Sequence, residues 1–133
     1  MKNEKGFTMV ELLGTIIILA LLVTLAVVSV SGVLNSSYDT TYDTFETSME
    51  EAATSYLLEH TEELPNEGGE VELSAAMLVE KGYLDYMEDP KNETANCQDE
   101  SFVIVTRGED TGYNFDLDYK ACLICGNYKS EGC

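Results

Sequence analysis

Lys5-Gly6-Phe7-Thr8-Met9-Val10-Glu11-Leu12-Leu13 opens a run that stays apolar as far as Leu34, and Glu11 is the only ionisable residue between Phe7 and Leu34. As a helix these 28 residues would reach about 42 Å against the roughly 30 Å of a hydrocarbon core, so the run can span a bilayer with length to spare. Lys2 and Lys5 stand before it and Asp39, Asp43 and Glu46 after it, so the charge bias puts Met1 in the cytoplasm and the acidic remainder outside, a single-pass N-in, C-out anchor. A cleaved secretory signal and an ordinary signal anchor share much of this. A secretory signal, however, ends a shorter apolar region in an A-x-A-like site, which Ser29-Val30-Ser31-Gly32 matches poorly. Neither alternative accounts for the carboxylate. At membrane depth it costs about 3 kcal/mol, so Glu11 asks for a partner.

The residues from Lys5 to Leu13 resemble the processing signal of type IV prepilins and pseudopilins: a short charged leader ending in Gly, then Phe, then a Glu shortly afterwards, then an unbroken apolar helix. The resemblance is closest over Lys5 to Leu25 and is to the Gram-positive kind. It implies cleavage between Gly6 and Phe7 by a prepilin peptidase, for which a small residue at the cut allows close approach to the backbone. It also implies N-methylation of the new Phe7 amine. That cation would meet Glu11 of a neighbouring subunit, because in low dielectric the two attract strongly while either alone is costly. The family further implies a structural subunit and no enzyme: a major or minor pilin or pseudopilin of a type IV pilus-like, secretion or competence filament. Its partners would be other pilin subunits, the cytoplasmic membrane and, indirectly, an assembly platform and ATPase, and its place after assembly the cell surface. The competing reading is a monomeric, membrane-anchored extracellular binding module whose acidic head captures cations or a basic partner. Such a module needs neither a cut at Gly6 nor a charge at Glu11.

The 133 residues carry 25 acidic against 7 basic side chains, a net charge of -18, and from Asn35 to Cys133 the balance is 23 to 5. A surface of that sign repels phosphates, which argues against nucleic-acid binding through a basic patch. The expected organisation is a cleaved leader 1–6, a transmembrane and assembly helix 7–34, and an extracytoplasmic head 35–133. Within the head, Tyr38, Tyr42, Phe45, Met49, Ala52, Tyr56 and Leu57 recur mostly at steps of three and four among Asp, Glu, Ser and Thr, an amphipathic helix over 35–60 whose stripe packs on the protein's own sheet. Joined to the apolar run, a helix from Thr8 to His60 would be about 80 Å long. His60, with no second His, suits the negative end of that helix.

Thr61 to Glu72, with Pro65 and Gly68-Gly69, reads as a loop; Ser74 is placed to cap a short helix over Ala75 to Lys81 that Gly82 ends, completing a loop-and-helix region 61–84. Asp89-Pro90-Lys91-Asn92 is a turn, followed by an Asn92-Glu93-Thr94 triplet of a kind frequent by chance. The region 97–133 reads as a hairpin and tail. Phe102 to Thr106 is one strand, Gly108 to Thr111 its turn and Tyr113 to Tyr119 the second strand, with a further piece around Ala121 to Ile124. Pairing Thr106 with Tyr113 sets Ile104 against Phe115 and Phe102 against Leu117 on one apolar face. Extended, that register brings Cys97 opposite Cys122 and leaves Cys125 for Cys133. A four-thiolate zinc site and a redox Cys122-x-x-Cys125 pair are the other uses of four thiols, although the second usually sits at a helix N-terminus rather than after a strand. No Gly-rich phosphate loop and no nucleophile with a His base points to catalysis or a cofactor. The fold class is α+β: a long N-terminal helical spine packed on a small antiparallel sheet.

Overall fold

The computed structural model describes residues 6–110, 112 and 115–133, and for 26–29 and 31 no side chain. The chain divides into two units, Met1–Ser37 and Tyr38–Cys133. One helix, α1 (Met9–Glu59), contributes to both. In the first unit the described apolar side chains from Phe7 to Leu25 are exposed on every side of the helix. Among the described residues no helix is long and apolar enough to cross a membrane; in the apolar run the unbroken stretch of described side chains ends at Leu25.

In the second unit α1 lays its apolar stripe on a sheet. Tyr42, Met49, Ala52, Ala53, Tyr56 and Leu57 are buried, and Tyr38 and Phe45 pack beside them, so the period of three and four predicted the inward face. After a single 3-10 turn (Thr61–Glu63) the chain enters β1 (Glu70–Ser74), runs directly into α2 (Ala75–Glu80), and makes a small hairpin of β2 (Glu88–Asp89) and β3 (Asn92–Asn96). Then come β4 (Phe102–Arg107), β5 (Leu117–Cys122) and a terminal hairpin of β6 (Ile124–Cys125) and β7 (Tyr128–Lys129). The main sheet is antiparallel in the order β1-β4-β5. The architecture is thus the expected α+β, a long helix packed through its second part on a small antiparallel sheet.

Three local expectations are corrected. Glu70 to Glu72 is strand rather than loop: Val71 and Leu73 alternate with acidic residues, and that two-residue period outweighs the turn-rich composition just before it. Ser74 precedes α2 but makes no side-chain cap, because it is still paired with Phe102 and the first helical N–H, that of Ala75, donates to the Ser101 carbonyl. The largest correction concerns the β4–β5 register, in which Thr106 pairs with Asp118, Ile104 with Lys120 and Phe102 with Cys122. Relative to pairing Thr106 with Tyr113 this is a slip by an odd number of positions, so β4 turns its other face inward, while β5 keeps the expected face, with Leu117 towards the core and Asp118 in solvent. The buried rows are Leu73–Val103–Ala121 and Val71–Val105–Tyr119, while Phe102 and Ile104 lie on the other side.

The slip follows from the connection. Gly108 N–H donates to Asp116 O at 2.9 Å, so the loop is much longer than a four-residue turn. Phe115, expected in the strand, instead lies exposed under the Arg107 guanidinium at 4.4 Å, and Arg107 also pairs with Asp110 at 2.9 Å. Thr111, Tyr113 and Asn114, placed by the sequence in the turn and second strand, lie outside the described residues. The expected end of α2 holds: Gly82 takes φ +82° and the Tyr83 and Leu84 N–H groups return to Leu78 O.

Polar groups tie α1 to the strands. Glu50 Oε1 accepts the Ala121 N–H at 3.2 Å, covering a group on the edge strand β5. Tyr42 and Tyr128 stack at 4.0 Å; Tyr42 donates to Asp89 Oδ1 at 2.9 Å and Tyr128 to Glu46 Oε1 at 3.0 Å. Asp89 is only 4% exposed, and its Oδ1 also accepts the Lys91 N–H. Burial first, and then the carboxylate that each hydroxyl faces, push Tyr42 and Tyr128 up to about 12.

Two expected outcomes follow from this packing. Leu57 is 1% exposed and its neighbour Leu58 75%. Leu57→Ala should therefore cost about 2–5 kcal/mol in urea unfolding and Leu58→Ala no more than about 0.5 kcal/mol; equal losses would mean that the helix is rotated. Secondly, the two tyrosines have a folded pKa above the ordinary 10.0. Their contribution should be whole below pH 10 and fade as pH climbs towards 12, because unfolding then releases phenolic protons. Urea midpoints between pH 9 and 12 should fall less steeply in Tyr42→Phe/Tyr128→Phe, and an unchanged slope would show that these hydroxyls do not carry the effect.

Candidate functional site

The candidate site is the entrance to α1. Thr8 holds the N-cap: its carbonyl accepts the Leu12 N–H at 3.1 Å and its Oγ1 accepts the Glu11 N–H at 3.3 Å. Glu11 Oε2 in turn accepts the Thr8 N–H at 3.4 Å. This is a reciprocal capping box, Thr-x-x-Glu, in which two of the helix's orphan donors are satisfied. The sequence reading singled out Glu11 and passed over Thr8, although the three-residue spacing that signals the box was there to be read. The carboxylate stands in the first turn, where the helix dipole favours a negative charge, and remains exposed.

Gly6 and Phe7 lie just outside the helix. A Cβ added at Gly6 would meet nothing within 4 Å, so the described chain has no packing reason for glycine there. Phe7 is 83% exposed, as is Met9, and Phe7, Thr8, Met9, Leu12 and Thr15 line a shallow, mainly apolar hollow. The structure thus ties Glu11 to Thr8 at the helix start and leaves Phe7 exposed immediately before it. Lys2 and Lys5 of the leader are outside the described residues.

The cysteines do not pair as expected. The bonds are Cys97–Cys125 and Cys122–Cys133, in place of Cys97–Cys122 and Cys125–Cys133. The register explains this. Ala121 faces the core, so Cys122 beside it points to the opposite side of β5, whereas Cys97 and Cys125 both belong to the core cluster. The tail reaches Cys122 by turning at Gly126, which takes φ +55°, and by folding β7 back on β6. Ser130 then exchanges backbone and side-chain hydrogen bonds with Leu123, and Gly132 lies so close to the Ala121 carbonyl that a Cβ would sit 1.9 Å from it. With all four thiols bonded, neither the zinc site nor a Cys122–Cys125 redox bond is formed. Among the described residues no other group of His, Cys, Asp and Glu could hold a metal ion.

No curated protein and no solved structure matches the chain. Residues 1–32, which contain Gly6, Phe7, Thr8 and Glu11, match the family model described as the prokaryotic N-terminal methylation motif. That motif implies processing by a prepilin peptidase and polymerisation with pilins. The chain therefore carries the type IV pilin, or prepilin-type, N-terminal signal.

Proposed function

We propose that this protein is a structural subunit of a type IV pilus-like, secretion or competence filament of the Gram-positive kind. The observation that carries this reading is the coincidence, inside the matched motif, of an unpacked Gly6-Phe7 junction with a Glu11 carboxylate opening an apolar helix whose described side chains have no cover. The apolar run from Phe7 to Leu34 holds the precursor in the membrane, N-in and C-out, with the acidic head outside. A prepilin peptidase cuts between Gly6 and Phe7, and the freed Phe7 amine is N-methylated. In the filament this cation pairs with Glu11 of a neighbouring subunit and fixes the axial register, while the apolar helices cover one another.

The capping box refines this account. Before assembly, Glu11 is held by the Thr8 N–H, so the carboxylate is kept in one orientation at the helix start and bears part of its hydrogen bonding locally. Assembly then adds a charge partner to a group already positioned.

Mass measurement of the chain extracted from membranes should show a start at Phe7, with or without one methyl group. An intact Met1, or a start beyond Ser31, would sink the reading. For the carboxylate, Glu11→Gln and Glu11→Ala separate cap from charge, since Gln can complete the box and Ala cannot. Both variants should enter the membrane and both should fail to form filaments. Filaments of normal yield from Glu11→Gln would show that the cap matters and the charge does not.

A further inference from the structure

Helix α1 and the two small hairpins of the head meet round a pocket of about 400 Å³. That size lies within the roughly 300–1,000 Å³ of small-ligand sites. Tyr42 and Asp89, 1% and 4% exposed, are its buried lining; Tyr128 is half-buried, and Lys91, Asn92 and Asn127 are exposed at its mouth. Only one oxygen of Asp89 is used by the fold. Oδ1 takes both of the carboxylate's hydrogen bonds among the described residues, from the Tyr42 hydroxyl at 2.9 Å and the Lys91 N–H at 3.0 Å, and neither donor is a cation. Since no fully enclosed side-chain oxygen among the described residues lacks a partner, Oδ2 opens on the pocket. Gly126 leaves it room, because a Cβ there would stand 2.8 Å from Oδ2. The Lys91 ammonium forms no ion pair with Asp89; it lies over the rings of Tyr38 and Tyr42, 5.5 and 5.6 Å from their centroids.

A carboxylate buried this deeply is normally matched by a cation, because its desolvation is otherwise uncompensated. We propose that the pocket binds a primary amine, whose ammonium donates to Asp89 Oδ2 while its carbon stem lies against Tyr128. Other ligand classes fit less well. A phosphate or carboxylate would gain Lys91 but would face Asp89, and Asp39, Asp43 and Glu46 stand close enough to act on the tyrosine hydroxyls of the lining. A neutral polyol could donate to Oδ2 but leaves the charge unmatched, and a charge-assisted hydrogen bond is about twice as strong as a neutral one. A bare metal ion lacks ligands, since among the described residues no three of His, Cys, Asp and Glu converge. An ammonium meets one like charge in the lining, Lys91, which is held on the tyrosine rings, and four carboxylates attract it. The assignment rests on the head alone and does not depend on the filament reading.

The test titrates n-butylamine into the full-length chain in non-ionic detergent at about 0.15 M salt, where long-range attraction to the acidic surface is screened, and follows amide NMR signals. Those of Asn92, Gly126 and Asn127 should shift and saturate. Asp89→Asn, which keeps an acceptor for Tyr42, should bind about tenfold more weakly or worse, while Glu72→Gln, a charge removed elsewhere on the head, should bind as the original does. Gly126→Ala should also lose binding with its charge intact. Both disulfides, mapped without reduction, report that each variant is folded, and if Gly126→Ala fails that check Asp89→Asn decides alone. N-acetyl-lysinamide separates two sources of the ammonium: binding equal to that of butylamine points to a lysine of another chain, and none to a small free amine. Shifts spread over the acidic surface without saturation, undiminished binding in Asp89→Asn, or equal saturation by methyl glucoside would each overturn the proposal.

Discussion

Val103 and Val105 at the centre of β4 are wholly buried, and the head depends on the side of the sheet they occupy. Because strand side chains alternate, turning these two valines to α1 also fixes their partners on both flanks. Leu73 and Val71 must face inward on β1, and Ala121 and Tyr119 on β5. The same parity sends Cys122 outward and leaves Cys125, on the next short strand, in the core with Cys97. Strand register and disulfide pattern are therefore one choice. A slip of β4 by a single residue would set Ile104 in the buried row with Tyr119 or Ala121 and turn both valines to the side of Lys120.

A sheet of three short strands offers limited apolar area, and the rest of the head shows how this is offset. The Cys97–Cys125 bond, with a sequence separation of 28, limits the unfolded chain by an amount on the order of 3–4 kcal/mol, a large part of what a domain of this size retains. Tyr42 fills core volume and also finds an acceptor in Asp89, so the hydroxyl buried with the ring costs nothing unpaired. Among the described residues no buried side-chain nitrogen or oxygen lacks a partner. Short hairpins hold because such links, rather than their own two-residue ladders, fasten them to the helix.

The helical parts were legible from the sequence because their signals are local and redundant. The stripe from Tyr38 to Leu57 repeats through several turns, Gly82 marks its own helix end, and the residues from Lys5 to Leu13 carry their chemistry in a fixed spacing. The strand pairing was not legible in the same way. Its run of aromatic and β-branched residues marked Phe102 to Thr106 as a strand but not which of its faces was buried, since Phe102 and Ile104 are as apolar as Val103 and Val105. Loop length decided between the faces. Phe115 looked like a strand residue in sequence and serves instead as a platform for Arg107, a long-range use that no short window contains. The cysteine pairing inherited the error from the register.

The two units leave opposite kinds of surface unsatisfied, and this bears on how the proposed filament holds together. The head presents 23 acidic against 5 basic residues from Asn35 to Cys133, so neighbouring heads repel. That repulsion is screened beyond about 8 Å at physiological salt, yet it remains between surfaces in contact. Cohesion must then come from the first unit, where the described apolar side chains from Phe7 to Leu25 have nothing packed on them. Apolar burial is non-directional, however, and on its own lets helices slide past one another. A single ionisable group in an otherwise uniform apolar stretch supplies the missing constraint, because only the offset that pairs it avoids leaving a charge unpaired in low dielectric. Glu11, held in orientation by Thr8, is the one group in the run from Phe7 to Leu34 able to set that offset.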